Sequence, residues 1–378
     1  MTTPLTGSFV QHFADLPDPR TGTSCLHALS DILFLIVCAT LAGANDFVAI
    51  AAFGRERLDW LRQHAPFVNG IPAHDTLDRI CRLLPPDTFQ TCFCRWVQSL
   101  GLSVADRVVA LDGKVARRSA DAATGQRALG LVTAWASDLR LVLGQFPVAE
   151  KSNEITAIPA LLPLLDLAGA VVTADALNCQ RDIAAGIRAA KADYALAVKG
   201  NQGHLYEDVL ACVEAALDRQ ALGDHTGLSC TEESDTGHGR TERRTYLVIH
   251  DPQGLRDRPA WKDLAAVCLV LSERVVDGQT SHAARYYIGS RLGTAEEYAG
   301  WLRGHWGVEN GCHWVLDVAF AEDQSRTRRG YAQQNLGLAR RWALSLLRQD
   351  RSLPGGIATK RMTVAWNVAH LATILKLR

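Results

Sequence analysis

The sequence predicts a mixed α/β core with helical units on either side. Three observations carry this. Helix-spaced apolar residues fill roughly the first 104 positions. Strand and helix patterns alternate from about residue 105, and helical patterns return after a strand-rich interruption at about 221–292.

The N-terminal region, 1–104, opens on "DLPDPRTG", which reads as an extended arm. The stretch "HALSDILFLIVCATLAGANDFVAIAAFGRERLDWLRQH" then repeats apolar residues at three- and four-residue spacing, as helices require. "HDTLDRICRLL" and "DTFQTCFCRWVQSL" follow Pro and Gly breaks, each with Asp or Thr in reach of an N-cap position. From 105 to 220 the order is three strands ("RVVALDG", "LGLVTAWASD", "LRLVLGQFPVA"), the second and third joined by a tight Ser-Asp turn. A helix ("NEITAIPALLPLLDL"), a strand ("GAVVTADAL") and a helix ("QRDIAAGIRAAK") come next. A strand ("DYALAVKG") and a helix ("GHLYEDVLACVEAALDRQ") close this part, which predicts a mixed sheet with helices on both faces. The segment 221–292 holds three strand patterns, "TERRTYLVIHD", "AAVCLVLSERVV" and "ARYYIGSRL", and reads as a β-rich insertion. The region 293–378 is helical, beginning with "TAEEYAGWLRGHWGVENGCHWVLDVAF".

With 378 residues, 48% hydrophobic and 21% charged, the chain can bury a sizeable core as one large domain or two to three ordinary ones. Lys plus Arg number 40 and Asp plus Glu number 40, so any affinity for nucleic acid must come from local patches. No CxxC pair occurs among the ten Cys and no secretory signal is evident, which predicts reduced, interior thiols in a cytosolic protein and argues against a structural zinc site. The longest apolar run, 31–44, opens on a charge and falls short of the roughly 20 residues of a membrane span, so it reads as a buried helix.

Two carboxylates sit at strand ends of the predicted sheet: Asp112 in "VVALDGK" and Asp175 in "AVVTADALNCQ". Either alone serves equally as a turn or helix-cap residue. Together they are placed to converge at the rim where open α/β sheets put their sites. A Glu from a nearby helix, Glu309 in "RGHWGVENGCHWVLDVAFAED", completes three hard oxygen donors with no thiol, a set suited to Mg²⁺ or Mn²⁺. Two such ions about 4 Å apart support phosphodiester chemistry.

These residues also carry a resemblance. "DLPDPR", "ALDGKVAR", "VTADALNCQRDIA", "DYALAVKGNQ", "TGHGRTERR" and "RGHWGVENGCHWVLDVAFAEDQSRTR", in this order over nearly the whole chain, resemble the insertion-sequence transposases of the Asp-Asp-Glu (DDE) class, in the ISAs-type branch of the H-repeat-associated proteins. The resemblance implies an RNase H-like core and a catalytic, metal-holding triad of Asp112, Asp175 and Glu309. It further implies two Mg²⁺ ions, transposon-end and target DNA as partners, a homodimer in the synaptic complex, and a bacterial, cytoplasmic, nucleoid-associated protein. Related cut-and-paste transposases often carry Tyr and Arg seven and four residues before the Glu and Lys seven after it. Here those positions hold Leu302, His305 and Leu316, leaving Arg303, His305 and His313 as the nearby basic groups.

Other polar motifs have two readings each. Lys199, Asn201 and Gln202 in "VKGNQGHL" are DNA contacts or a polar strand-to-helix loop. Arg240 and Arg244 in "DTGHGRTERR" are phosphate contacts or a solvated hairpin face. Lys114 and Arg117 in "KVARRS", and Arg326 and Arg328 in "RTRR", lie close in sequence to the candidate carboxylates. Residues 326–378 hold eleven Lys or Arg against one Asp, which predicts a DNA-facing C-terminal region or a solvated helical face. Trp306 and Trp314 are expected to pack the Glu309 helix onto the sheet. An inactive or domesticated, transposase-derived DNA-binding protein is the alternative function. A third reading, a transition-metal site from His305, Glu309 and His313 on one helix face, lacks the paired-His HExxH spacing.

Overall fold

The computed structural model describes residues 12–13, 15–20, 25–120, 125, 127–148, 154–237 and 239–377. Among the described residues five α-helices come first: α1 (Leu29–Leu41), α2 (Phe47–Glu56), α3 (Leu58–Leu61), α4 (His74–Leu83) and α5 (Pro86–Ser99). The apolar run is indeed a buried helix, since α1 is buried along nearly its whole length. Neither α4 nor α5 has the side-chain cap expected of it. Asp75 and Asp87 lie instead inside the first turns, where they complement the helix dipole.

Strands β1 (Val108–Ala116), β2 (Leu129–Ala136) and β3 (Leu141–Val148) precede α6 (Glu154–Leu161). Then come β4 (Val171–Ala174), α7 (Arg181–Ala189), β5 (Asp193–Val198) and α8 (His204–Ala221). The strand-rich segment contains four strands rather than three: β6 (Leu228–Gly237), β7 (Arg240–His250), β8 (Ala266–Val276) and β9 (Gln279–Gly289). β6, "LSCTEESDTG", is an outer strand with no buried residue, so it lacks the apolar alternation by which a strand is read. Helices α9 (Ala295–His305), α10 (Trp314–Phe320), α11 (Ala332–Gln349), α12 (Ile357–Trp366) and α13 (Ala369–Ile374) finish the chain, with a π-helical turn at Glu309–His313 between α9 and α10.

Among the described residues nine strands form one sheet, in the order β3-β2-β1-β4-β5-β9-β8-β7-β6. β1, β4 and β5 run parallel and every other neighbour pair is antiparallel. The inserted strands therefore extend the core sheet through the β5–β9 pairing. The largest cluster of buried apolar side chains runs through α1–α5, the sheet and α11. At its centre Trp342 of α11 meets Phe13, Phe89, Phe93 and Trp96, with ring centroids 5.3–5.8 Å apart. A second cluster fixes α9 against β1, β4, β5, β7 and β8.

The C-terminal basic residues do not form one exposed face. Arg340, Arg341, Lys360 and Arg361 are buried. Arg341 pairs with Glu322 at 2.8 Å and Lys360 with Asp350 at 3.3 Å, while Arg361 donates to the carbonyls of Thr40, Ala44 and Ala319. Their charges are spent inside the fold, tying α11 and α12 to the first helices. The cysteines are free, but not all are interior: Cys25 and Cys230 are exposed and Cys212 is half-buried. Among the described residues no helix is long and apolar enough to cross a membrane.

Candidate active site

Asp112 lies in the middle of β1, not at its end, because β1 continues to Ala116 against β2. What ends at this point is the parallel pairing with β4, whose last register pair is Leu111 with Ala174. Asp112 and Asp175 are the residues that follow this last pair, one within β1 and the other just past β4. They leave the paired region side by side at its C-terminal edge, on strands about 4.8 Å apart.

Glu309 opens the π-helical turn, which admits one extra residue per turn and re-aims the side chains around it. The close approach of this segment to the sheet is a matter of missing side chains. A Cβ on Gly304 would meet Val108 at 2.9 Å, one on Gly307 would meet Ser137 at 2.9 Å, and one on Gly311 would meet Trp135 at 2.9 Å. This glycine stripe, not Trp306 and Trp314, seats the Glu309 segment. Both Trp are exposed, at 52% and 59%, and Arg285 stacks over Trp306.

The seating brings Asp112, Glu309 and His313 together. His313, almost fully buried, has Nδ1 3.4 Å from Asp112 Oδ2 and 3.3 Å from Glu309 Oε2. One ligand atom from each of the three lies within 4.8 Å of the others. Asp175 stands beside this group rather than in it. His305 is absent from it too, so the proposed His-Glu-His face does not assemble. His305 Nδ1 instead shares a hydrogen bond of 3.0 Å with Thr173, and burial pushes its pKa down against the opposing pull of Asp112 and Asp175.

Several contributors escaped the sequence reading. Glu154, the first residue of α6, reaches the site from the opposite face of the sheet, beneath Gly113. Buried Asn178 donates Nδ2 to Glu154 Oε2 at 2.8 Å and to Asp175 Oδ1 at 2.9 Å. Burial, followed by the charges of Asp175 and Asp112, holds the Glu154 carboxyl above its usual range, although the Asn178 hydrogen bond pulls the other way. Asp317 and Asp323 receive the Lys114 ammonium at 2.7 and 3.4 Å and so tie the end of the Glu309 segment to β1. The one available signal was Asn178, three residues after Asp175, the spacing of a side-chain-closed turn.

Comparison with known proteins gives the lineage. Residues 104–346 match the family described as "Transposase DDE domain", and residues 10–97 match "DDE_Tnp_1-associated". The chain belongs to the DDE transposase family. It is 39% identical over 372 residues to "Putative transposase YncI" of Escherichia coli O157:H7, covering 97% of this chain and 94% of that one. It is 38% identical over 373 residues to "H repeat-associated putative transposase YhhI" of Escherichia coli (strain K12), covering 97% of each. A solved piggyBac transposase synaptic complex with hairpin DNA aligns over 97% of this chain and 76% of that chain, at a TM-score of 0.39 and 9% identity, too distant to carry residue roles across.

In this transposase the expected DNA contacts fall into distinct settings. Lys199, Arg240 and Arg326 are exposed. Arg117 is exposed and pairs with Asp323 at 3.2 Å, and exposed Arg303 pairs with Glu233 at 2.9 Å. Arg244 is half-buried against Glu242 at 2.7 Å, and Arg328 donates Nε to the Arg118 carbonyl at 3.2 Å. Asn201 donates to the Ala176 carbonyl at 2.9 Å, joining the loops after β5 and β4, and Gln202 ends the short turn between β5 and α8. Lys114 is the clear correction: its side chain is 8% exposed and its charge is held by two carboxylates, so it does not face phosphate. His238, in the hairpin motif, lies outside the described residues.

Proposed function

We propose that this transposase cleaves phosphodiesters at the ends of its element and joins the freed 3′-hydroxyls to target DNA, with Asp112, Asp175 and Glu309 as its catalytic carboxylates. The observation that carries the reading is the approach of Asp112 and Glu309 from opposite parts of the chain to one histidine nitrogen, with Asp175 beside Asp112. The order β3-β2-β1-β4-β5, antiparallel across the first three strands and parallel across the last three, supports an RNase H-like core.

The donor set fits divalent cations: the carboxylates of Asp112 and Glu309 and the His313 imidazole lie within 4.8 Å of one another, without a thiol, and the Asp175 carboxylate stands beside them. Asp112, Asp175 and Glu309 would hold Mg²⁺ or Mn²⁺, with His313 at hydrogen-bond distance from two of them. Two bound ions would supply an activated water or 3′-hydroxyl and stabilise the leaving oxygen. The chain's own task is positioning. The glycine stripe and the Lys114 ion pairs set the Asp112–Glu309 approach, and His305 is oriented by its 3.0 Å hydrogen bond with Thr173. Lys199, Arg240, Arg326, Arg117 and Arg303 are the proposed phosphate contacts, with the N-terminal helices as the element-end reader. Joining two ends favours a homodimer on DNA.

The test is nicking of a duplex carrying the element's end by purified protein, with Mg²⁺ and with chelator. Asp112→Ala and Glu309→Gln should reduce nicking to background while leaving duplex binding in place. Nicking equal to wild type by either variant would sink the assignment. Binding without nicking by the wild-type chain would favour the alternative of a DNA-binding descendant. One short relative is named "Inactive transposase YbfQ", 44% identical over 71 residues.

A further inference from the structure

Asp175 has a weakness that Asp112 lacks. Asp112 is locked in a strand paired on both sides up to that point, whereas Asp175 follows the last residue of β4 and is exposed. An exposed carboxylate outside the ladder samples several rotamers, and a cation site needs one of them.

We infer that Glu154 and Asn178 are positioning residues that hold Asp175 in a single orientation, resting on the proposed assignment of Asp175 to the site. Asn178 is fully buried, and its backbone N–H and its Nδ2 both donate to Asp175 Oδ1, at 3.1 and 2.9 Å. That commits Oδ1 and leaves Oδ2 as the oxygen for a ligand. The second Nδ2 hydrogen goes to Glu154 Oε2 at 2.8 Å. Only the NH₂ end of the amide can face two carboxylates, so the pair of acceptors fixes which way Asn178 points. Glu154 is thus the anchor and Asn178 the link. The anchor reaches this place because residue 113 is glycine: a Cβ there would overlap the Glu154 carboxylate. Gly113, next to Asp112 in sequence, thereby acts on Asp175 through the other face of the sheet.

The test uses the full chain and Mn²⁺ alone as the probe, with free ion read by its EPR signal, alongside end-duplex nicking in Mg²⁺ and metal-free duplex affinity. Glu154→Ala should weaken Mn²⁺ binding by about tenfold, as losses of outer partners of metal ligands do. Gly113→Ala, which displaces the Glu154 carboxylate without removing it, should do the same. Both should leave duplex affinity and the thermal midpoint near wild type. Glu154→Gln should recover most of the lost Mn²⁺ affinity, because its amide oxygen still accepts from Asn178. If Gln proves as damaging as Ala, Glu154 acts by its charge or as a direct ligand, and the positioning role is overturned. Unchanged Mn²⁺ binding in both Glu154→Ala and Gly113→Ala overturns it equally. Asp112→Ala separates the two levels. If that variant binds Mn²⁺ and nicks normally, the proposed site itself is wrong. If it loses both while Glu154→Ala loses neither, only the role of Glu154 fails.

Discussion

Replacing Glu322 by Gln removes one negative charge from beneath α11 and deprives two buried guanidinium groups of the carboxylate they share. Glu322, Arg340 and Arg341 are all within 1% of full burial. Arg341 Nη1 is 2.8 Å and Arg340 Nη1 is 4.0 Å from Glu322 Oε1. At an effective dielectric of about 20 those separations correspond to attractions of about 6 and about 4 kcal/mol. Desolvating three ions costs several kcal/mol each, so the triad adds little net stability over an apolar cluster of the same shape. Removing one member is different, because the desolvation of the others is no longer offset. Glu322→Gln should therefore destabilise by about 3–5 kcal/mol. Arg341→Met should cost less, since Arg340 remains beside the carboxylate. Replacing all three by Leu and Met should come within about 2 kcal/mol of wild type or exceed it. Urea unfolding followed by Trp fluorescence reads this directly, because Trp342 adjoins the triad in sequence and lies in the core. Acid gives a second arm. Burial alone would raise the Glu322 pKa, but Arg341 and Arg340 more than offset it and hold it below its usual 4.5. A lowered folded-state pKa means stability present above 4.5 and lost as pH falls through the folded value. The gap between wild type and Glu322→Gln should accordingly shrink below pH 4.5. Equal urea midpoints at neutral pH, or a gap that persists unchanged in acid, would refute the reasoning.

Gly311→Ala should cost about 1–3 kcal/mol by thermal melt and sharply reduce nicking, because the new methyl meets the rigid Trp135 ring and lifts Glu309 from Asp112. Lys114→Met should cost about 1–2 kcal/mol, discounted because Asp317 and Asp323 are partly exposed. It should leave the salt dependence of duplex binding unchanged; a shallower salt slope would show that Lys114 does contact phosphate. Arg240→Ala, at an exposed hairpin position, should weaken binding alike for all sequences and reduce the salt slope by about 1.

Much of the element order is legible because its signals are local. Apolar spacing marks α1, and alternating or continuous apolar runs mark β1 to β5 without knowledge of any partner. β6 is the instructive failure. Its residues are polar because it is an outer strand, and its place depends on backbone pairing with β7, which leaves no trace in side-chain pattern. The basic C-terminal segment fails for another reason: charge is countable in a sequence, but burial is not. Arg341 lies nineteen residues from Glu322 and is inside the protein only because α11 is central to it.

The sequence by itself marked the carboxylates that we propose hold a divalent cation. Acid type, placement beside strands, and the ordered motifs of a DDE transposase singled out Asp112, Asp175 and Glu309. Only the tertiary structure decided how they are held. Glycines seat the Glu309 turn against Trp135, Lys114 binds Asp317 across 203 positions, and Glu154 reaches Asp175 through Asn178. The physical reason is that a side chain's chemistry belongs to the residue, whereas its orientation and desolvation belong to neighbours brought near by the whole fold.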